Sequence, residues 1–289
     1  MTRQEELLLT KFFTPKFSVA ALSAAAMLTL SACGSETEET ADTTTAWDEI
    51  QEEGTLTVAT SGTLYPTSFR AEGTDELTGF EVEVVREAAE RLELEVEFTE
   101  LGFDEMLTSI QTGQVDIAAN DIEITEDRQE NFLFSTPFKY SYGTAIVRAD
   151  DLSGIETLED LEGKKAAGAS TSVYMETARS YGAEEVTYDN ATNETYLRDV
   201  SIGRTDVILN DYYLQTLAIE AFPELEIVIH PTIKYSPSTV GMVMNKDNDE
   251  LTENINRVVE EMLEDGTIAE ISAEFFAGAD VTQPIDIEE

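Results

Sequence analysis

Gly113-Gln114-Val115-Asp116-Ile117-Ala118-Ala119-Asn120-Asp121 and Gly203-Arg204-Thr205-Asp206-Val207-Ile208-Leu209-Asn210-Asp211 follow one pattern. In each, a glycine closes a predicted helix, an aspartate precedes a short apolar run, and Asn-Asp ends it. The helix before the first copy spans 103–112, with Met106, Leu107 and Ile110 on its inward face. The helix before the second spans 194–202. Two copies at the same place in the same local structure indicate an internal structural repeat. In parallel α/β sheets, ligands sit beyond the carboxyl ends of strands. Each Asn-Asp lies at such an end, so two lobes facing each other would share one cleft.

The flanking sequence supports both halves. Strand patterns at 56–60, 92–98 and 115–119 alternate with helical spacing over 81–91 (Val84, Val85, Ala88) and 103–112. The alternation restarts with strands at 165–169, 185–188, 207–209 and 225–229. The helices between them span 172–180, 194–202 and 212–221. Such a succession predicts mostly parallel sheets covered by helices. The segments 140–148 and 234–244 are extended and β-rich. They read as two crossovers between lobes, a hinge suited to closure on a ligand. Helices at 248–264 and 267–276 then complete the first lobe. The expected division is 47–143 with 241–289 for lobe 1, and 144–240 for lobe 2.

The N-terminus reads as an export signal. Arg3, Lys11 and Lys16 precede an apolar run at 17–30, shorter than the roughly 20 residues that span a bilayer. Leu30-Ser31-Ala32-Cys33 follows and resembles the bacterial lipobox. Residues 1–32 are therefore expected to be a lipoprotein signal peptide. Cys33, the single cysteine of the chain, is the expected lipidation site, with acyl chains such as palmitate holding it to a membrane. The Ser/Thr/Glu-rich stretch at 33–46 reads as a disordered tether. No later run is apolar enough to span a membrane.

Net charge is −43, from 60 acidic against 17 basic residues. That balance argues against nucleic acid and anionic lipid as partners and favours a self-repelling monomer. A hydrophobic content of 42% still supplies a core. One histidine and one cysteine leave no His/Cys metal site, and no calcium-loop spacing is present. Neither a metal nor another cofactor is expected. His230, before Pro231 at a strand end, reads as structural.

Thr125-Glu126-Asp127-Arg128, followed by Phe134-Ser135-Thr136-Pro137-Phe138, resembles the T-P-E-R…F-S-x-P-Y signature of family 3 solute-binding proteins of polar amino-acid ABC transporters. Leu77-Thr78-Gly79-Phe80, Gln111 to Asp116, Leu158 to Lys164 and Glu264 to Ile268 resemble further motifs of that family, in family order. The resemblance implies a type II periplasmic-binding-protein-like fold: α/β, two-lobed, with two hinge crossovers and the ligand in the inter-lobe cleft. It implies an extracytoplasmic, non-enzymatic capture protein that works with an ABC permease and its ATPase. Asn120-Asp121-Ile122-Glu123 with Arg128 and Phe132 to Ser135 looks most like cystine-binding members. Glu123 departs from the small Ser or Thr of most relatives, and Phe103 stands where many have Trp.

The resemblance assigns Arg128 as a carboxylate clamp, suited to it by the planar guanidinium, and Asp211 as the ammonium acceptor. Thr171 and Ser172 stand at a predicted helix N-terminus, which favours an anion. Glu123, beside Asn120, is a candidate second acid for a second ammonium, as a diamino ligand such as cystine would need. Tyr65, Phe69 and Phe103 are candidate pocket walls. Two rivals remain open: a dehydratase-like enzyme on the same scaffold, with Glu123 or Asp211 moving a proton, and a sensor domain reporting to a kinase.

Overall fold

The computed structural model describes residues 44–188, 191–285 and 287. The signal segment, Cys33 and the tether through residue 43 lie outside the described residues. Thr45 caps the first helix, α1 (Ala46–Glu53), through a reciprocal pair with Asp48. The helix and its cap therefore take in Thr45 and Ala46, the last two residues of the expected tether. A side chain that accepts from the first turn and is accepted in return satisfies N–H groups a helix otherwise leaves open.

Six elements follow before the helix that leads into the first copy of the repeat: β1 (Thr55–Thr60), β2 (Thr63–Leu64), β3 (Ser68–Arg70), β4 (Leu77–Thr78), α2 (Phe80–Arg91) and β5 (Glu95–Glu100). The expected strand at 92–98 begins later, because Leu92 ends α2 and Glu93 turns the chain at φ 60°. The two- and three-residue strands β2, β3 and β4 form a small sheet too short to leave a pattern. Gly79 starts α2 at φ 133°, where a Cβ would lie 2.4 Å from the Thr67 carbonyl oxygen. Only glycine lets the helix approach close enough for Phe80 and Glu81 to donate to the Pro66 and Thr67 carbonyls.

Next come α3 (Phe103–Gln111), β6 (Ile117–Ala118), α4 (Glu126–Gln129), β7 (Phe132–Phe134) and β8 (Lys139–Arg148). The second half holds β9 (Lys165–Ala167), α5 (Val173–Ser180), β10 (Glu184–Val186), α6 (Asn193–Ser201), β11 (Ile208–Asp211) and α7 (Tyr212–Ala221). The chain ends with β12 (Ile227–Val240), β13 (Val243–Asn245), α8 (Asp249–Glu264) and α9 (Thr267–Phe275).

One sheet runs β5-β1-β6-β13-β7, with β1 parallel to β5 and β6 and β13 antiparallel to both its neighbours. The other is built on β11-β8-β12, and β9-β10 joins it through the Ala166–Val207 bridge. Both sheets are covered on two faces. Val58 and Ile117 pack into one apolar cluster while Ala59 and Ala118 pack into another. In the second sheet Ala145 and Val147 face one cluster and Ile146 the other. This two-sided burial explains why these strands read as continuous apolar runs.

The strands β8 and β12 are paired along their length, from Lys139–Val240 beside the first sheet to Arg148–Ile227 in the second. The sequence suggested a strand at 225–229 and a separate crossover at 234–244. Instead one long strand runs from Ile227 to Val240, with irregularities between Ile229 and Lys234 and between Tyr235 and Pro237, and the end of the expected crossover belongs to β13. Bulges of this kind add twist without ending the ladder. The repeat is real in detail. Asp116 accepts from the Thr57 backbone N–H at 2.8 Å, and Asp206 accepts from that of Lys165 at 3.0 Å. In both copies the aspartate braces the first residues of a neighbouring strand.

Candidate functional site

A cavity of about 240 Å³ lies where the two sheets point their strand ends at each other. From the first lobe it is lined by Ser61 after β1, Asn120, Asp121 and Glu123 after β6, and Phe103 and Asp104 at the start of α3. From the second lobe come Gly168 and Ala169 after β9, Ser172 and Tyr174 at the start of α5, Asn193 and Leu209. This is the crevice that open α/β sheets offer a ligand.

Glu123 is 3% exposed. Its Oε2 lies 3.1 Å from Arg128 Nη1, which also donates to the Glu123 carbonyl at 2.8 Å. The Thr125 side chain caps the short helix α4 that presents Arg128. The remaining oxygen, Glu123 Oε1, has no hydrogen-bond partner among the described residues, and neither have the Tyr174 hydroxyl and Asn193 Nδ2. All three belong to residues that line the cavity. Burial, with Glu123, Asp211 and Asp121 nearby, pushes the Tyr174 hydroxyl well above its ordinary pKa, so it stays a neutral donor.

The lobes touch at the cavity rim. Asp104 accepts from the backbone N–H and hydroxyl of both Ser170 and Thr171, at 2.7–3.3 Å. Partial burial would raise the Asp104 pKa, but these four bonds outweigh it and hold it below the ordinary value. Arg128 Nη2 donates across the same gap to the Thr171 carbonyl at 3.2 Å.

Behind the cavity sits Lys139, fully buried at the start of β8. Its ammonium lies 2.5 Å from Asp121 Oδ1 and 2.9 Å from Asp211 Oδ2. The two acids that end the two copies of the repeat thus converge on one lysine. Burial alone would lower the Lys139 pKa. Asp121 and Asp211 more than reverse that, so the lysine is held charged. Glu81 stands one layer further in and accepts the Asp121 backbone N–H at 2.8 Å. Burial, and then the Asp121 charge, raise Glu81 to about 8.

The sequence-predicted residues therefore separate into groups. Asn120, Glu123, Phe103 and Ser172 line the cavity. Arg128 and Thr171 adjoin it through Glu123 and Asp104, and the guanidinium lies 5.8 Å from the Phe103 ring centroid. Ser172 caps α5, its Oγ accepting from Met175 at 3.1 Å. Asp211 does not line the cavity. It is 0% exposed, and one oxygen caps α7 through Leu214. The other, Oδ2, lies 2.9 Å from the Lys139 ammonium and has no hydrogen-bond partner among the described residues. Tyr65 and Phe69 do not line the cavity either. Phe69 packs edge-on against Tyr65 at 4.9 Å and Phe275 at 6.4 Å.

Sequence reasoning missed Lys139, Asp104, Tyr174 and Asn193. A lysine inside the β-rich stretch 138–147, which carries no other charge, was the available signal for the first, because a buried lysine requires acidic partners. Among the described residues no group of three or more His, Cys, Asp or Glu side chains is placed to hold a metal. No described helix is long and apolar enough to cross a membrane.

The two facing sheets, their paired connecting strands and the cavity between them define a two-lobed solute-capturing protein. The family model of bacterial extracellular solute-binding proteins, family 3, matches residues 56–278, and the chain belongs to that family. It is 58% identical over 277 residues to the probable ABC transporter extracellular-binding protein YckB of Bacillus subtilis, covering 95% of this chain and 96% of that one. It is 32% identical over 239 residues to the L-cystine-binding protein TcyJ of Escherichia coli K12, covering 82% and 87%. The crystal structure of B. subtilis YckB superposes with a TM-score of 0.67 at 63% identity, covering 84% of this chain and 98% of that one.

Proposed function

We propose that this solute-binding protein captures a polar amino acid for an ABC importer, with cystine the first candidate. The observation that carries the reading is the inter-lobe cavity with Glu123 at its wall and Arg128 beside it. A guanidinium and a buried carboxylate, side by side in a closed crevice, suit the opposite charges of a zwitterion. The kinship with a cystine-binding relative supports the choice of ligand. A second ammonium on cystine gives the acidic wall more to bind than a monoamino ligand does. The names of relatives such as YckB and a probable amino-acid ABC transporter-binding protein of Haemophilus influenzae support a non-catalytic role.

Ligand enters between the lobes and meets the Arg128 side first. Bending at β8 and β12 then brings Ser172 and Tyr174 onto it, and the permease receives the closed form. A ligand favours closure only by its preference for the closed state. A lipid on Cys33 would keep the protein at the membrane, consistent with Leu30-Ser31-Ala32-Cys33 after an apolar run. A thermal-shift screen against the natural amino acids and cystine tests the reading. Stabilisation by cystine or another polar amino acid, lost in a folded Arg128→Ala variant, is expected. No stabilisation by any member of the panel would reject it.

A further inference from the structure

We propose that the N-terminus of α6, with Asn193 in its first turn, seats a second carboxylate of the ligand, away from the head group that Arg128 faces. This rests on the amino-acid reading above and deepens it: the ligand is an amino acid with two carboxylates, as cystine is.

Two helices of the second lobe begin at the cavity, one from each face of its sheet. Met175 and Ala178 of α5 pack with Ala145 and Val147, whereas Leu197 and Val200 of α6 pack with Ile146. Strand ends on which helices converge from both faces are where α/β sheets hold ligands. The start of α5 is capped by Ser172, and Thr171 before it touches Arg128. On the amino-acid reading, that end of the cavity belongs to the head group.

The start of α6 differs. This helix runs nine residues, and Thr192 before it gives no side-chain cap; the Thr192 hydroxyl lies 3.1 Å from that of Thr195 instead. Asn193, the first residue of the helix, is 7% exposed and lines the cavity. Its Nδ2 is buried and has no hydrogen-bond partner among the described residues. A buried N–H left unpaired is costly, and an acceptor brought by the ligand relieves that cost. The open N–H groups and the dipole of a helix N-terminus favour an anion at the same place. The acid of the first turn, Glu194, is paired with Arg198 at 2.7 Å. Side-chain amide and helix end therefore ask for one group, a carboxylate, and both disfavour a side chain that ends in a cation. The two helix starts give the two carboxylates of cystine one seat each.

Calorimetric titration of the parent and of Asn193→Asp with two probes tests this. Cystine carries both carboxylates. The mixed disulfide of cysteine and cysteamine keeps the chain and both ammonium groups but has one carboxylate. Aspartate is favoured in a first helical turn, so Asn193→Asp is expected to fold, which circular dichroism would check. The parent is expected to bind cystine about tenfold or more tighter than the mixed disulfide, as loss of a hydrogen-bonded anion implies. Asn193→Asp is expected to weaken cystine binding by roughly a hundredfold, because like charges then meet in a closed site. Its affinity for the mixed disulfide is expected to stay within about fivefold of the parent, the range of an indirect effect. Equal affinity of the parent for both probes would overturn the proposal, and that comparison stands even if the variant does not fold. Cystine binding unchanged or tightened in folded Asn193→Asp would overturn it too. If another amino acid binds in place of cystine, it must carry a side-chain carboxylate, as glutamate does, and lose affinity in Asn193→Asp. A panel led by any other amino acid would overturn the proposal and leave the amino-acid reading intact. If the parent binds no amino acid, that reading fails, and glutarate becomes the probe. Binding of glutarate, lost in Asn193→Asp, would uphold the carboxylate seat. No binding of glutarate would overturn it as well.

Discussion

Replacing Lys139 with methionine tests how strongly the two lobes depend on one buried charge. The substitution keeps the length of the side chain and removes its ammonium. Asp121 and Asp211 then face each other with side-chain exposures of 3% and 0%. Breaking a buried ion pair by removing one partner costs about 3–5 kcal/mol. That is a large part of the roughly 5–15 kcal/mol that typically separates folded from unfolded chains. The cost also depends on pH, and the sign follows from the carboxylates. Burial already raises Asp121, with Asp211 and Glu123 adding to it and Lys139 opposing. Without the lysine, Asp121 rises further and holds a proton where the unfolded chain has lost it. Stability from that proton is present at low pH and fades as pH rises, so the penalty is smaller at pH 5 than at pH 8. Asn at 121 and 211 in the Lys139→Met background should recover about 1–3 kcal/mol, the cost of leaving a buried polar group unpaired. Urea unfolding followed by fluorescence of Trp47, the single and buried tryptophan, reads all of this. Lys139→Met within about 1 kcal/mol of the parent at both pH values would refute the reasoning, since surface pairs contribute that little.

Glu81→Gln addresses the proton on Glu81, which Asp121, Glu123 and Lys139 face. A pKa raised from 4.5 to about 8 stabilises the fold below the lower value and loses that contribution as pH climbs to the upper one. The parent should therefore lose up to about 1.4 kcal/mol per pH unit that Glu81→Gln does not lose. Parallel pH profiles for the two proteins would show Glu81 ionised in the fold. Asp104→Ala removes four bonds between the lobes and should shift the ligand-free protein toward an open form. Small-angle scattering would record a larger radius of gyration, and an unchanged radius would rule out a closing role for this contact. Cys33→Ser should release the protein from membrane fractions into the medium. Retention in the membrane would exclude lipid anchoring through that residue.

The sequence exposed the architecture because its signals were local. Glycine caps, the Asp that braces a neighbouring strand and the apolar strand after it recur within nine residues. Ser172 was readable as a helix cap for the same reason. Glu123 stood out because it breaks a motif, and the structure buries it. What stayed hidden was long-range pairing. Lys139 meets acids 18 and 72 positions away, one on each copy of the repeat, and no periodicity encodes such a meeting. Arg128 meets Glu123, which the turn before α4 brings to it. Tyr65 and Phe69 could have faced ligand or each other, because an aromatic side chain does not declare which.

A crystal structure of the protein grown with cystine examines the account most directly. The amino acid should lie in the cavity between the lobes, against Glu123 and Arg128. A ligand found outside that cavity would contradict it.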